Sequence, residues 1–276
     1  MEIFLSQPCG FCFGGKRTVD IANNIGSAYT LGPLLHNEQL VEQLKQKGVT
    51  PISFEELMEK DAAKEGKQVI IRAHGVPEEQ LSKLKEKGFD VIDGTCPKVK
   101  NVYDIASMCE EMGCQVFVFG DKDHAEVKGI VSRLKNPIVV KGVGDIPDKS
   151  FEKIGLVSQT TQRKEKYEEV KNALEKKCKV MKAFDTICTA TQERQDSAAS
   201  LASEVDAMVV IGGKESSNTK KLFEVCKGKN GKVFMIQTKD DLEKEWFDGF
   251  SKVGIAAGAS TPDFVVKEAI EELKKF

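Results

Sequence analysis

Three cysteines, Cys12, Cys96 and Cys188, recur along the chain at intervals of 84 and 92 residues. Short apolar runs precede two of them, residues 3–5 before Cys12 and residues 91–92 before Cys96 through DGTC, and the pattern recurs where Asp185-Thr186-Ile187 leads to Cys188. Pro97, next to Cys96, suits the first turn of a helix, where its missing N–H is not needed. The pattern puts a thiol at the tip of a strand and the mouth of a helix, three times. Thiolates from three separate segments do not match the local paired spacing of a four-ligand zinc site. They fit a [4Fe–4S] cluster with one iron not ligated by cysteine, left open to a substrate. Such an iron acts as a Lewis acid and passes electrons. Gly14 and Gly15 beside Cys12 suit the approach of a bulky cofactor. Cys9 makes a weak redox pair with Cys12 and is expected to be a bystander. Cys109, Cys114, Cys178 and Cys226 read as small hydrophobes of helical stretches.

The second set of chemical groups lies in loops after apolar runs. All three histidines of the chain, His36, His74 and His124, fall there, with Glu126 beside His124. Thr160, Ser216, Ser217, Asn218 and Ser260 occupy the other such loops. Imidazoles, hydroxyls and an amide donate well to phosphate oxygens, and helix starts add backbone N–H groups. The expected ligand is a small phosphorylated molecule held by several loops at once. There is no G-x-x-x-x-G-K-[ST] loop, which argues against a nucleoside triphosphate. The first polar loop of each third comes 24 to 29 residues after its cysteine, and the second 62 to 72 residues after.

The elements that must position these groups alternate along the chain. Strands are expected at residues 3–5, 69–72, 91–92, 116–119, 154–157, 208–211, 233–236 and 253–256. Amphipathic helices are expected at residues 38–47, 78–87, 99–111, 164–177, 193–205 and 263–274. Alternation of this kind marks parallel βαβ units, which bind ligands beyond the carboxyl ends of their strands. The reading is an α/β protein of three pseudo-threefold-related domains, residues 1–95, 96–187 and 188–276, around one central site. Basic side chains number 41 against 43 acidic, so no net field calls for nucleic acid or an anionic membrane. No run of 18 apolar residues predicts a membrane span, and the N-terminus lacks the pattern of a secretory signal. A cytoplasmic location follows, in which eight cysteines point to metal or redox chemistry rather than disulfides.

The motifs GFCFGGKR, LLHN, AHGV, DGTCP, DHAEV, SQTT, DTICTATQERQ, GGKESSNT and AGASTPD together resemble the LytB-type 4-hydroxy-3-methylbut-2-enyl diphosphate reductases. They run in that family's order from residue 10 to residue 263. The resemblance implies a cluster held by Cys12, Cys96 and Cys188, with the substrate hydroxyl directed at the open iron. It implies a diphosphate bound by His36, His74, His124, Ser216, Ser217, Asn218 and Ser260. Glu126 matches the family's proton source, and Thr160 the residue that orders the substrate hydroxyl. The partner implied is an external one-electron donor of the ferredoxin or flavodoxin type. Products would be isopentenyl and dimethylallyl diphosphate, the last step of the methylerythritol phosphate route. Phe13, Gly15, Thr18 and Ala125 depart from the family's usual residues without touching a proposed ligand. Two rivals share features: an enzyme similar to quinolinate synthase, with three cysteines from three α/β repeats, and a cluster-based redox sensor. The polar loops favour a diphosphate ligand over the first, and a sensor would not need Glu126.

Overall fold

A computed structural model describes residues 1–35, 37–65 and 68–276 of the chain. It opens with β1 (Glu2–Leu5) and α1 (Phe13–Ile25). Then come β2 (Ala28–Leu31), α2 (Glu38–Gln46), β3 (Val49–Ile52), α3 (Phe54–Glu59), α4 (Ala62–Glu65), β4 (Gln68–Ile71), α5 (Glu78–Glu86) and β5 (Val91–Asp93). The middle of the chain gives α6 (Pro97–Glu111), β6 (Gln115–Phe119), α7 (Ala125–Val131), β7 (Ile138–Val140), β8 (Phe151–Ser158), α8 (Lys164–Glu175) and β9 (Cys178–Ala183). The rest supplies α9 (Thr189–Ala202), β10 (Ala207–Ile211), α10 (Ser217–Lys227), β11 (Val233–Ile236), β12 (Lys252–Ala257) and α11 (Asp263–Leu273).

The twelve strands form three parallel four-stranded sheets, so the α/β class with three repeated layers stands. Two compact units contain them: residues 17–34 with 44–188, and residues 1–16 with 35–43 and 189–276. In the larger unit the sheets run β3-β2-β4-β5 and β7-β6-β8-β9. In the smaller unit the order is β11-β10-β12-β1. All three repeat one plan, in which the second strand flanks the first, then the third, then a fourth at the edge. The first strand departs from the linear division at residue 95. β1 pairs with β12, from Glu2 opposite Lys252 to Leu5 opposite Ile255, and belongs with the last third of the chain. A four-residue strand has no stability alone, and β12 offers it an open edge. Each repeat cysteine consequently follows the edge strand of a sheet: β1 before Cys12, β5 before Cys96, β9 before Cys188.

The inner strands are apolar on both faces, as parallel sheets covered by helices require. β10, AMVVI, is buried at every position. Val209, Ile211 and Ile255 pack against Val265 and Leu273 of α11, while Met208 and Val210 pack against Ala198 of α9 and Leu222 of α10. In the β6–β9 sheet, Phe117, Phe119 and Leu156 meet Tyr167 and Leu174 of α8; Val116, Val118 and Val157 meet Val102 of α6 and Val127 of α7. Each such side chain contributes about 1.5–3 kcal/mol by leaving water, which makes the sheets a firm base for the loops at their ends.

Candidate functional site

The three repeat cysteines are anchored in the same way. The Cys12 amide donates to the carbonyl of Ala259, the Cys96 amide to that of Ala73, and the Cys188 amide to that of Thr160, each at 3.0 Å. Each acceptor lies in the second polar loop of its repeat, one residue before Ser260, one before His74, and at Thr160 itself. One hydrogen bond of fixed length thus ties every thiol-bearing loop to a loop bearing phosphate-type donors. A second device recurs ahead of two cysteines: Asp93 accepts from the Thr95 amide at 2.9 Å, and Asp185 from the Ile187 amide at 3.2 Å. These are the local turns that Asp favours through its own backbone. Cys12, Cys96 and Cys188 are all partly exposed, whereas Cys109, Cys114 and Cys226 are buried, as expected of packing residues; Cys178 departs from that expectation, because it opens the edge strand β9 and is partly exposed. No disulfide and no group of three or more His, Cys, Asp or Glu side chains suited to a single metal ion occurs among the described residues.

In the larger unit, His74 follows β4, and His124 caps α7 by accepting the Glu126 amide on its Nδ1 at 3.2 Å. The two imidazoles meet edge to face with centroids 5.5 Å apart. Glu126 is buried beside them. Its carboxyl accepts both the amide of Thr160, at 2.6 Å, and the hydroxyl of Thr160, at 2.8 Å. Burial raises the Glu126 pKa to about 7, against the opposing pull of those two hydrogen bonds. A carboxyl poised there can hold or release a proton near neutrality. Four expected residues, His74, His124, Glu126 and Thr160, therefore share one corner of this unit, tied to Cys188 through the Thr160 carbonyl.

In the smaller unit, Ser216 caps α10, its Oγ accepting the Thr219 amide at 3.3 Å. Ser260 Oγ donates to Ser216 Oγ in a long contact of 3.5 Å. Asn218 in the first turn is buried, and its Nδ2 has no hydrogen-bond partner among the described residues. Gly212 and Gly258 let this helix start come close: a Cβ at either would fall 2.4 or 2.3 Å from Thr219 Oγ1. The arrangement gathers the hydroxyls of Ser216 and Ser260 and the Asn218 amide at the positive end of an eleven-residue helix, which suits an anion. Cys12 sits in the same unit, its Sγ accepting the Gly15 amide at 3.3 Å. Cys9 is partly exposed like Cys12, and desolvation pushes its thiol up to about 11. His36 lies outside the described residues.

Arg194 is a participant that the sequence reading passed over. It is buried in α9, where its Nη2 donates to the carbonyls of Gly10 and Phe11, at 2.9 and 3.2 Å, and its Nη1 to that of Ala190 at 2.8 Å. It thereby braces the loop that presents Cys12. The only signal in the sequence is an arginine four residues from the alanines Ala190 and Ala198, on the buried face of its helix.

Residues 3–274 match the family model described as LytB protein. A 4-hydroxy-3-methylbut-2-enyl diphosphate reductase of Nitratiruptor sp. is 44% identical over 276 residues, covering all of this chain and 99% of that protein. One from Aquifex aeolicus is 41% identical, covering 100% and 96%. A solved structure of (E)-4-hydroxy-3-methyl-but-2-enyl diphosphate reductase is 40% identical over the full length of both chains, with a TM-score of 0.73. The corresponding reductase from Plasmodium falciparum, at 25% identity, superposes with a TM-score of 0.91 over 99% of this chain and 87% of its own. The chain belongs to the LytB protein family, the family of the 4-hydroxy-3-methylbut-2-enyl diphosphate reductases that it matches.

Proposed function

We propose that the protein removes the hydroxyl of (E)-4-hydroxy-3-methylbut-2-enyl diphosphate by two-electron reduction, giving isopentenyl and dimethylallyl diphosphate. The balance is two electrons and two protons per substrate, with the C–O bond broken and its oxygen leaving as water. The observation that carries the reading is the Glu126–Thr160 pair, a buried carboxyl with a pKa near 7 beside two imidazoles and one hydrogen bond from a repeat cysteine. A binding protein has no use for such a proton store.

The diphosphate would be held by the α10 N-terminus with Ser216, Ser217, Asn218 and Ser260, and by His36, His74 and His124. The Asn218 Nδ2, already desolvated, supplies a donor at little further cost on binding. Thr160 would orient the substrate hydroxyl, its own hydroxyl being positioned by Glu126. Glu126 would deliver a proton, either to the leaving hydroxyl or to the allylic carbon skeleton. Diphosphate nearby further favours the neutral carboxyl.

Cys12, Cys96 and Cys188 are the residues that would hold a [4Fe–4S] cluster. Three partly exposed thiols with identical backbone anchors, one of them accepting a backbone N–H on sulfur, form a donor set that fits such a cluster. Bound there, the cluster supplies electrons one at a time and an iron without a thiolate as Lewis acid. The electrons come in this reading from a ferredoxin or flavodoxin type of donor. No helix among the described residues is long and apolar enough to cross a membrane, and a reducing cytoplasm suits eight cysteines without disulfides.

The test is anaerobic reconstitution with iron and sulfide, followed by Mössbauer spectroscopy and turnover with dithionite and a viologen. One distinct iron site that changes on adding the diphosphate substrate, with both products formed, is the expected result. Four equivalent thiolate-ligated irons, or a cluster with no turnover, would overturn the mechanism.

A further inference from the structure

Tyr103 lies on α6, in neither polar loop, and its ring is flanked by both. Its Oη is so close to Gly75 and Gly129 that a Cβ added at either would fall 2.1 or 2.3 Å from it. Gly75 follows His74 with φ +75°, a left-handed conformation that glycine adopts without strain. Gly129 is in α7, the helix capped by His124. The Tyr103 hydroxyl donates to the His74 carbonyl in a long contact of 3.4 Å. One phenol is thus wedged between the loop of His74 and the helix of His124.

Arg133 holds the wedge from the other side. Its guanidinium lies over the Tyr103 ring, 4.0 Å from the centroid, where the ring face attracts the cation. It also donates to the Gly129 carbonyl at 2.5 Å and the Val76 carbonyl at 3.3 Å, and pairs with Glu78 at 2.6 Å. Ser132 adds a bond from the Glu78 amide at 3.0 Å. The links to Val76 and Glu78 join the segment after β4 to the C-terminal end of α7, and the Gly129 bond fixes the guanidinium to that helix. Behind the ring lies a cavity of about 280 Å³, walled by Val76, Leu81, Thr95, Tyr103 and Arg133. With the ring gone, loop and helix lose the surface that fixes their spacing.

We infer that Tyr103 is a positioning residue: wedged between Gly75 and Gly129 and clamped by Arg133, it sets the separation of His74 and His124 and so the width of the anion site. The inference rests on the proposed function for its substrate, but the spacing itself is open to direct measurement. Neither histidine is moved by Tyr103 through its charge. The ring acts as a spacer, and a phenyl ring of the same shape keeps most of the effect.

The experiment compares Tyr103→Ala, Tyr103→Phe, Gly129→Ala and the double variant Tyr103→Phe/Gly129→Ala, each checked for folding by thermal melting. KM for the allylic diphosphate, kcat, and calorimetric affinity for inorganic pyrophosphate are measured on reconstituted protein. In parallel, nuclear Overhauser contacts between imidazole protons are read on protein labelled at its three histidines. Tyr103→Ala is expected to raise KM and weaken pyrophosphate about tenfold, with kcat within about twofold, and to lose the His74–His124 contact. Tyr103→Phe stays near wild type. Gly129→Ala is harmful alone and milder in the Tyr103→Phe background, where the nearest ring atom is 3.1 Å from the new Cβ rather than 2.3 Å. If Tyr103→Ala lowers only melting temperature and kcat, Tyr103 is merely structural and the inference fails. If the wild type neither turns over nor binds pyrophosphate, the functional reading fails; the ring contact then decides the spacing alone, and its survival in Tyr103→Ala overturns the inference.

Discussion

Glu126 and Thr160 meet through two hydrogen bonds at once: the amide and the hydroxyl of one residue both donate to the carboxyl of the other, at 2.6 and 2.8 Å. Donors of this kind ordinarily lower a carboxyl pKa, yet this one is raised to about 7 because its burial outweighs them. The pair therefore holds a proton in the pH range where the cell works, and holds it one residue's carbonyl away from the Cys188 amide.

Glu126→Gln tests that proton. The amide mimics the neutral acid, its oxygen taking the Thr160 N–H and its nitrogen donating to a turned Thr160 hydroxyl. Between the unfolded pKa of 4.5 and the folded value of about 7, folding of the wild type takes up a proton. The stability that the neutral carboxyl provides is complete below pH 4.5, falls as pH rises towards 7, and is gone above it. The variant lacks this slope. Chemical denaturation from pH 5 to pH 8 should show the variant gaining on the wild type by up to about 3 kcal/mol at the alkaline end. Turnover should fall by about 100-fold or more, the usual cost of losing a general acid. A pH-independent stability difference would mean that the carboxyl is ionised throughout.

Asn218→Ala should separate stability from binding. Its buried Nδ2 lacks a partner among the described residues, which costs the folded state about 1–3 kcal/mol of unrecovered desolvation. Removing it should leave the melting temperature unchanged or higher while KM for the diphosphate rises about tenfold or more. A variant that melts lower with KM unchanged would make Asn218 a packing residue.

Gly94→Ala probes the approach to Cys96. A Cβ there would fall 2.3 Å from the Ile71 carbonyl oxygen and 2.8 Å from Thr18 Cγ2, and the backbone oxygen cannot swing away as a side chain could. The Gly94 carbonyl also accepts the Thr18 hydroxyl at 3.0 Å. Overpacking of this sort costs about 1–3 kcal/mol, and the displaced segment carries Cys96 two residues later. Both the melting temperature and the iron content after reconstitution should fall; normal iron loading would show that the segment adapts without disturbing Cys96.

Much of this was legible beforehand because apolar runs and polar loops obey simple periods. The buried strands β4, β6, β8, β10, β11 and β12 announce themselves by Val and Ile. β2, β3, β7 and β9 do not: AYTL, VTPI and CKVMKA mix polar residues with apolar ones, and IVV is only three residues long. They are fixed by pairing with stronger neighbours rather than by their own composition. The pairing of β1 with β12 joins the two ends of the chain and leaves no local trace. At the site, residue types marked the thiols, the histidines and the loops. Arg194, Arg133 and Tyr103 escaped notice because each acts on backbone carbonyls or glycines far away in sequence, and no spacing rule predicts a contact across 183 residues.

Arg194→Ala and Arg194→Lys address the largest of those omissions. The guanidinium reaches three carbonyls, two of them in the loop before Cys12, and is 3% exposed. Lysine has a single head group and cannot span them in the same plane. Loss of hydrogen bonds from a buried charge costs about 1.5–3 kcal/mol each at the outset, reduced as water enters the space. The effect should be local, because β1 and α1 retain their own backbone bonding on either side. The rate at which iodoacetamide labels Cys12 in iron-free protein should rise in Arg194→Ala, as the loop opens more often, and by less in Arg194→Lys. Labelling of Cys96 and Cys188 serves as the internal reference and should not change. Equal acceleration at all three cysteines would mean global destabilisation; no acceleration at Cys12 would mean that the loop is held without Arg194.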